Sequence, residues 1–152
     1  MSNYNRLPKT GHLSRGQRKA TKVDLSAWHV LIVDDKADNL AIAEAAMKFN
    51  GAEVKTAING VQALSMMATF TPTVILLDLS MPEMDGWEMI HRLKANPETA
   101  NIPVIALTAH AMASDRERVM AAGFTGYISK PYTITTLVKN MQTILDNIDV
   151  SE

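Results

Sequence analysis

The sequence predicts a doubly wound α/β domain built on a five-stranded parallel sheet with five helices. Five short runs of β-branched and other apolar residues alternate with five segments of helical length and composition. One of these runs, Val74–Leu77, is apolar at every position, which is typical of a parallel strand covered by helices on both faces. The chain has 152 residues, of which 47% are apolar, enough for one domain with a real core.

The first 26 residues show no hydrophobic period, and we expect them to form a flexible basic arm in front of a domain that spans residues 27–149. Residues 1–27 carry six Lys or Arg against one Asp, whereas residues 28–152 carry nine Lys or Arg against fifteen Asp or Glu. The formal net charge of −1 argues against a protein that mainly coats nucleic acid. The last helical pattern ends near Ile148, so no output domain is expected.

The strands are predicted where β-branched residues cluster: His29–Val33, Glu53–Ala57, Val74–Leu77, Pro103–Leu107 and Tyr127–Ile128. The helices are predicted between and after them: about Ala37–Phe49, Val61–Thr69, Trp87–Lys94, Ser114–Ala122 and Ile134–Ile148. The first helix should stop at Asn50 and Gly51, a frequent C-terminal pair. The fifth has the clearest period, since its apolar side chains recur every three or four residues.

Several protein classes are excluded by what the sequence lacks. The chain has no cysteine, which rules out disulfides, thiolate metal sites and cysteine nucleophiles. Its apolar runs are far shorter than a membrane span, and the basic N-terminus has no following apolar segment of a secretory signal. A soluble, cytoplasmic protein is therefore expected.

Reactive side chains follow four of the five predicted strands. Asp34 and Asp35 come after the first strand, Asp78 after the third, Thr108 after the fourth and Lys130 after the fifth. The carboxyl ends of parallel strands meet at one edge of a sheet, which is where open α/β sheets bind their ligands. Each residue alone is more often a cap, a turn or a solvated loop residue. Their coincidence at one edge is what indicates a site.

The three carboxylates at this edge are expected to hold a divalent cation. Clustered carboxylates repel each other, and a hard cation with oxygen ligands relieves that repulsion. Mg²⁺ fits best, because it accepts a few carboxylates together with water and a substrate phosphate. With a hydroxyl and a lysine beside one carboxylate, the chemistry that follows is phosphoryl transfer onto that carboxylate.

The ordered set of motifs resembles the receiver domain of response regulators. The resemblance covers about residues 28–148, implies a flavodoxin-like sheet with strand order 2-1-3-4-5, and rests on four segments: Val30–Asp35, Leu76–Gly86, Pro103–Ala109 and Tyr127–Pro131. Any one of these motifs is moderately specific, and the four in register are highly so. No core position departs from the family's pattern, which argues against a degenerate receiver that only binds partners.

The resemblance implies a role for each residue of the acidic edge. Asp78 is similar to the phosphorylated aspartate of the family. Asp35 resembles the direct ligand of Mg²⁺ or Mn²⁺, together with Asp78 and the backbone carbonyl of Ser80, while Asp34 would act through water. Thr108 and Ala109 resemble the residues that bind the phosphoryl group and switch with it.

Further members of the set are implied by the same resemblance. Lys130 looks like the lysine that pairs with the phosphate, and its bond to Pro131 resembles the cis peptide bond of the family. Tyr127 looks like the aromatic switch residue. We further predict that Ser80 and His110, at the mouth of the site, tune the lifetime of the phosphoryl group by admitting or blocking water.

The expected partners also follow from the family. The phosphoryl donor would be a histidine kinase or a histidine phosphotransfer protein. A downstream protein or a second copy of the chain would bind the face formed by helix 4, strand 5 and helix 5. Neither a membrane nor a nucleic acid is an expected partner, and the protein would not be an enzyme apart from its own phosphorylation and dephosphorylation.

Other functions stay open on the sequence alone. Phosphatases of the haloacid dehalogenase type use similar groups, but they place the nucleophile after the first strand and a second Asp two residues later. Here the acidic pair comes first and Ser80 follows Asp78. The chain could also be a receiver module of a hybrid kinase, or a regulator whose basic arm contacts nucleic acid.

Overall fold

The computed structural model describes residues 23–109 and 112–150. The strands are β1 (His29–Val33), β2 (Glu53–Ala57), β3 (Val74–Asp78), β4 (Val104–Thr108) and β5 (Gly126–Ser129). The helices are α1 (Ala37–Phe49), α2 (Gly60–Met66), α3 (Gly86–Ala95), α4 (Ala113–Ala121) and α5 (Ile134–Val150). No helix in these ranges is long and apolar enough to cross a membrane.

The five strands form one parallel sheet in the order β2-β1-β3-β4-β5, so the predicted fold class is confirmed. β3 lies at the centre, and all five of its residues are buried. The pairing of Val33 with Leu77 and of Asp78 with Leu107 brings the carboxyl ends of β1, β3 and β4 to one level. This register fixes the edge on which the functional side chains can meet.

Alternate residues of the central strands face two separate apolar layers. Val30 and Ile32 point toward the layer made with α1 and α5, whereas Leu31 and Val33 point toward the layer made with α2, α3 and α4. β3 and β4 repeat this alternation. The α5 period is confirmed for its central residues, although Ile134 at its start is 44% exposed.

Residues 23–26 differ from the prediction of a free arm, because they pack on the domain. Leu25 is fully buried in the α1–α5 layer. The backbone N–H of Val23 donates to Asn50 Oδ1 at 2.6 Å, and the N–H of Leu25 donates to the Asn50 carbonyl at 2.7 Å. Asn50 itself is buried and needs these partners. The packed domain therefore begins before residue 27, while residues 1–22 of the predicted arm lie outside the described residues.

Side-chain caps set two helix starts that the apolar pattern placed one residue late. Asn59 Oδ1 accepts from the N–H of Gln62 at 2.7 Å, so α2 begins at Gly60. Asp85 Oδ1 accepts from the N–H of Glu88 at 2.9 Å, so α3 begins at Gly86. At the end of α1, Gly51 has φ +97, a conformation that glycine adopts without strain, as the Asn-Gly pair predicted.

Candidate functional site

The sheet order brings the predicted reactive residues to one edge. Asp34 follows β1, Asp78 is the last residue of β3, Thr108 is the last residue of β4 and Lys130 follows β5. Asp34, Asp78 and Thr108 are buried, and the side chain of Lys130 is 16% exposed. These side chains therefore form a largely buried group at the rim of the sheet rather than a set of exposed charges.

Lys130 bridges two of the three carboxylates. Its Nζ lies 3.1 Å from Asp34 Oδ2 and 3.1 Å from Asp78 Oδ1. The peptide bond between Lys130 and Pro131 is cis, as the resemblance implied. One ammonium is thus shared between two buried carboxylates, which leaves the site short of positive charge.

The three carboxylates of this edge could together hold a cation. Ligand atoms of Asp34, Asp35 and Asp78 lie within 4.8 Å of one another. Asp35 Oδ1 is buried and has no hydrogen-bond partner within the described ranges. A buried carboxylate oxygen without a donor is costly unless a cation completes it. The oxygen-only donor set and the orphaned Asp35 oxygen both fit a hard divalent ion such as Mg²⁺.

The electrostatics of the site act mainly on Asp78. Burial and then the negative charge of Asp34 raise the pKa of Asp78 from 3.8 to about 6, against the opposing effect of Lys130. Burial alone would lower the pKa of the Lys130 ammonium, but the hydrogen bonds and charges of Asp34 and Asp78 outweigh it and raise that pKa. At neutral pH, Asp78 is therefore ionised at an energetic cost and Lys130 is charged.

The loop after β3 closes tightly on Asp78. Asp78 Oδ1 accepts from the N–H of Ser80 at 3.2 Å, and Ser80 itself is exposed. At Gly86 an added Cβ would lie 2.6 Å from the carbonyl oxygen of Asp78, so only glycine fits there. The start of α3 thus rests directly on the backbone of Asp78. Gly86 has no role among the residues predicted from the sequence, although a glycine right after the Asp85 cap is a signal of such close approach.

Thr108 and Tyr127 lie on the same face of the sheet. Tyr127 pairs with Ala106, which is two residues before Thr108, and successive side chains alternate between faces. The Tyr127 ring is half-buried, and its hydroxyl accepts a hydrogen bond from Arg116 Nε at 3.0 Å.

Ala109, the residue after Thr108, is exposed. His110, the other predicted lifetime-tuning residue besides Ser80, lies outside the described residues.

Tyr132 is a site neighbour that the sequence reasoning missed. It is buried, and its hydroxyl donates to the carbonyl of Asn39 in α1 over 3.4 Å. Burial and then the charges of Asp34 and Asp78 raise the pKa of the Tyr132 phenol. It therefore stays protonated and ties the loop that carries Lys130 to α1. An aromatic residue two positions after Lys130 was the available signal.

Comparisons with known proteins agree with this geometry. Residues 30–142 match the family model of the response regulator receiver domain. The chain is 35% identical over 116 residues to the polar-differentiation response regulator DivK of Brucella anthropi, which covers 76% of this chain and 94% of that protein. The chemotaxis protein CheY4 of Vibrio cholerae has a TM-score of 0.73 at 29% identity, over 77% of this chain and 98% of that one.

A second solved structure bears on the acidic cluster. The receiver domain of the sensor histidine kinase PA1611 from Pseudomonas aeruginosa matches with a TM-score of 0.69 at 29% identity, over 78% of this chain and 98% of that one. That domain was solved with a magnesium ion coordinated in its active site cleft. Magnesium in that protein is an ion of the kind that the oxygen donors of the acidic cluster would suit.

Proposed function

The chain belongs to the response regulator receiver domain family of two-component signalling, and from this premise we propose that it accepts a phosphoryl group on Asp78. The observation that carries the proposal is the position of Lys130 Nζ, at 3.1 Å from both Asp34 and Asp78. Lysine in this position can neutralise an oxygen of a phosphoryl group attached to Asp78. An ion pair with only a structural role would not account for the buried Asp35 Oδ1 beside it, which has no hydrogen-bond partner among the described residues.

The transfer is an in-line displacement at phosphorus. A carboxylate oxygen of Asp78 attacks the phosphorus of a phosphohistidine, an O–P bond forms, and the N–P bond breaks with its electron pair on the imidazole nitrogen. Lys130 leaves Asp78 Oδ1 to pair with a phosphoryl oxygen. The Thr108 hydroxyl and the Ala109 N–H donate to the remaining oxygens. The product is an acyl phosphate on a buried side chain.

The transfer depends on a divalent cation, Mg²⁺ or Mn²⁺. Asp35, Asp78 and the backbone carbonyl of Ser80 would hold it directly, and Asp34 would act through water. When bound, the ion supplies the positive charge that the three carboxylates and the incoming phosphoryl oxygens require. Lys130 and the ion have separate roles, because Lys130 contacts Asp34 and Asp78, whereas the buried Oδ1 of Asp35 has no hydrogen-bond partner in the described part of the chain.

The signal is read at the face formed by α4, β5 and α5. The phosphoryl group adds about −1.5 to −2 charges at the rim. Thr108 moves toward it, and the Tyr127 ring follows into the space beside Thr108, since both side chains lie on one face of the sheet. Burial of an aromatic ring contributes a few kcal/mol at most, enough to bias two surface states. A downstream protein or a second copy would bind this face.

The lifetime of the phosphoryl group is set at the mouth of the site. Ser80 is exposed and small, so it leaves the approach of water largely open. His110, by its position after Thr108 and Ala109, would shield the acyl phosphate or orient the water.

The phosphoryl donor is a histidine kinase or a histidine phosphotransfer protein. Phosphoryl transfer and binding of the downstream partner take place in the cytoplasm.

Labelling with a small phosphodonor tests the proposal. Incubation with acetyl phosphate and Mg²⁺ should add one phosphoryl group, seen by intact-protein mass spectrometry. Asp78→Asn should abolish the addition, and EDTA should suppress it. Asp85→Asn is the matched control, because Asp85 lies in the same loop and asparagine can keep its capping bond to Glu88.

Two results would contradict the assignment. Continued labelling of Asp78→Asn would move the acceptor elsewhere. Steady release of phosphate from simple phosphomonoesters would instead indicate a phosphatase of the haloacid dehalogenase type.

A further inference from the structure

We propose that Arg116 is a positioning residue that holds Tyr127 outward and thereby opposes phosphorylation of Asp78. The inference rests on the proposed function, because it concerns the regulation of the same site. Arg116 touches neither the carboxylates nor Lys130 in any contact that the structure gives. It acts through Tyr127, whose ring must move for the signalling face to change.

The contact between the two side chains is double. Arg116 Nε donates to the Tyr127 hydroxyl at 3.0 Å, and the guanidinium carbon lies 5.4 Å from the centroid of the Tyr127 ring. One cation thus binds both the polar tip and the π-face of the same ring. Such a pair is worth more than either contact alone, because one ordered side chain makes both.

The position of Arg116 couples this contact to the active edge. Arg116 lies in the first turn of α4, where its N–H donates to the Met112 carbonyl. Along the chain, α4 is the element that comes next after β4, which ends at Thr108. The hydroxyl that responds to the phosphoryl group and the side chain that contacts Tyr127 therefore lie close together in the sequence.

Tyr127 can contact Arg116 only while its ring points outward. The hydrogen bond lies at the surface, and the ring is only half-buried. Turning the ring inward beside Thr108 takes the hydroxyl away from an exposed guanidinium. The inward state thus loses both contacts, so Arg116 stabilises the unphosphorylated arrangement by the strength of the pair, equivalent to about a three- to tenfold shift in the equilibrium.

Arg118 provides a matched control on the same helix. Its guanidinium carbon lies 4.7 Å above the ring of Trp87 in α3, so it makes a cation–π contact as Arg116 does, but with a different ring. Replacing it removes the same charge and the same type of contact without touching Tyr127. Removal of either positive charge would, through charge alone, weaken the binding of an anion to the site. Tighter anion binding in Arg116→Ala but not in the Arg118→Ala control would therefore indicate the loss of the Tyr127 contact rather than the loss of a charge.

Fluorine NMR measures the Tyr127 position directly. The chain has three tyrosines, Tyr4, Tyr127 and Tyr132, so uniform 3-fluorotyrosine labelling gives three signals, and Tyr127→Phe identifies the relevant one. Beryllofluoride with Mg²⁺ serves as the phosphoryl mimic. We expect Arg116→Ala to shift the Tyr127 signal toward its beryllofluoride-saturated position before any mimic is added. The midpoint of the beryllofluoride titration should fall about three- to tenfold.

The controls separate the possible failures. Arg118→Ala should keep the wild-type Tyr127 signal, with an unchanged or higher midpoint. An Arg116→Ala protein with a wild-type Tyr127 signal and an unchanged or raised midpoint overturns the inference, as does equal tightening in Arg118→Ala. Failure of the wild-type chain to bind beryllofluoride at all overturns the proposed function, and with it this inference.

Discussion

Replacing the Asp78 carboxylate with an amide should stabilise the folded chain at neutral pH when divalent cations are absent. Asp78 is buried at the rim beside Asp34, and its pKa is raised from 3.8 to about 6. A carboxyl with a raised folded-state pKa is ionised more easily in the unfolded chain. Its charge therefore favours unfolding, and Asp78→Asn removes that charge while keeping nearly the same volume.

The magnitude follows from the size of the pKa change. A rise of about two pH units corresponds to about 3 kcal/mol at about 1.4 kcal/mol per unit. Asp78 lies at the rim close to water, which screens part of this energy, so we expect a gain of about 1–3 kcal/mol. The gain is absent below about pH 3.8, where Asp78 is protonated in both states, grows up to about pH 6, and stays constant above it.

Urea unfolding followed by far-UV circular dichroism, in EDTA, measures the effect. The free energy of unfolding of Asp78→Asn and of the wild-type chain should differ at about pH 7.5 and converge near pH 4. Asp38→Asn, an exposed substitution in the first turn of α1, should change stability by less than about 0.5 kcal/mol. An Asp78→Asn chain that is no more stable than wild type at neutral pH, or whose gain in stability is undiminished at about pH 4, would contradict this prediction.

Three further substitutions test other parts of the structure. Leu25→Ala, or a chain that begins at Ala27, should lose about 2–4 kcal/mol of unfolding free energy in urea, because the Leu25 side chain is fully buried; an unchanged stability would indicate that residues 23–26 do not stabilise the domain. Asp35→Ala should reduce Mg²⁺ affinity by more than about tenfold in calorimetric titration, because it removes a buried carboxylate oxygen that accepts no hydrogen bond from the described residues; wild-type affinity would exclude Asp35 as a ligand. Gly126→Ala should destabilise the chain by about 1–3 kcal/mol in thermal unfolding, because the new Cβ would lie 2.8 Å from Ile144; an equal or higher midpoint would show that α5 can yield there.

Sequence patterns predict this fold well where the signal is local. The bounds of β1, β2 and α1 agree with the structure, since β-branched runs and an Asn-Gly stop define them without help from distant residues. The second helix was predicted as Val61–Thr69 but spans Gly60–Met66. Its apolar and small residues continue the helical composition beyond the point where the backbone leaves the helix, so composition alone could not locate that end.

Contacts between distant parts of the chain escape this kind of reasoning. The burial of Leu25 depends on Asn50, and the hydrogen bond from Val23 to Asn50 spans 27 positions. The residues of the acidic edge were predictable because parallel strands deliver their ends to one place. The Arg116–Tyr127 and Tyr132–Asn39 contacts were not, since they depend on how helices and loops pack over that edge.

The two tryptophans stand on opposite sides of the sheet, which equips the protein with built-in optical reporters. Trp28 is buried in the α1–α5 layer, whereas Trp87 is half-buried in the other layer, with Arg118 above its ring and the Phe124 ring edge-on at 5.9 Å. A displacement of α4 that moves Arg118 changes the surroundings of the Trp87 indole, whereas Trp28 lies in the other layer. The emission spectrum of a Trp28→Phe chain therefore reports on the layer that contains α3 and α4, and that of a Trp87→Phe chain reports on the layer that contains α1 and α5.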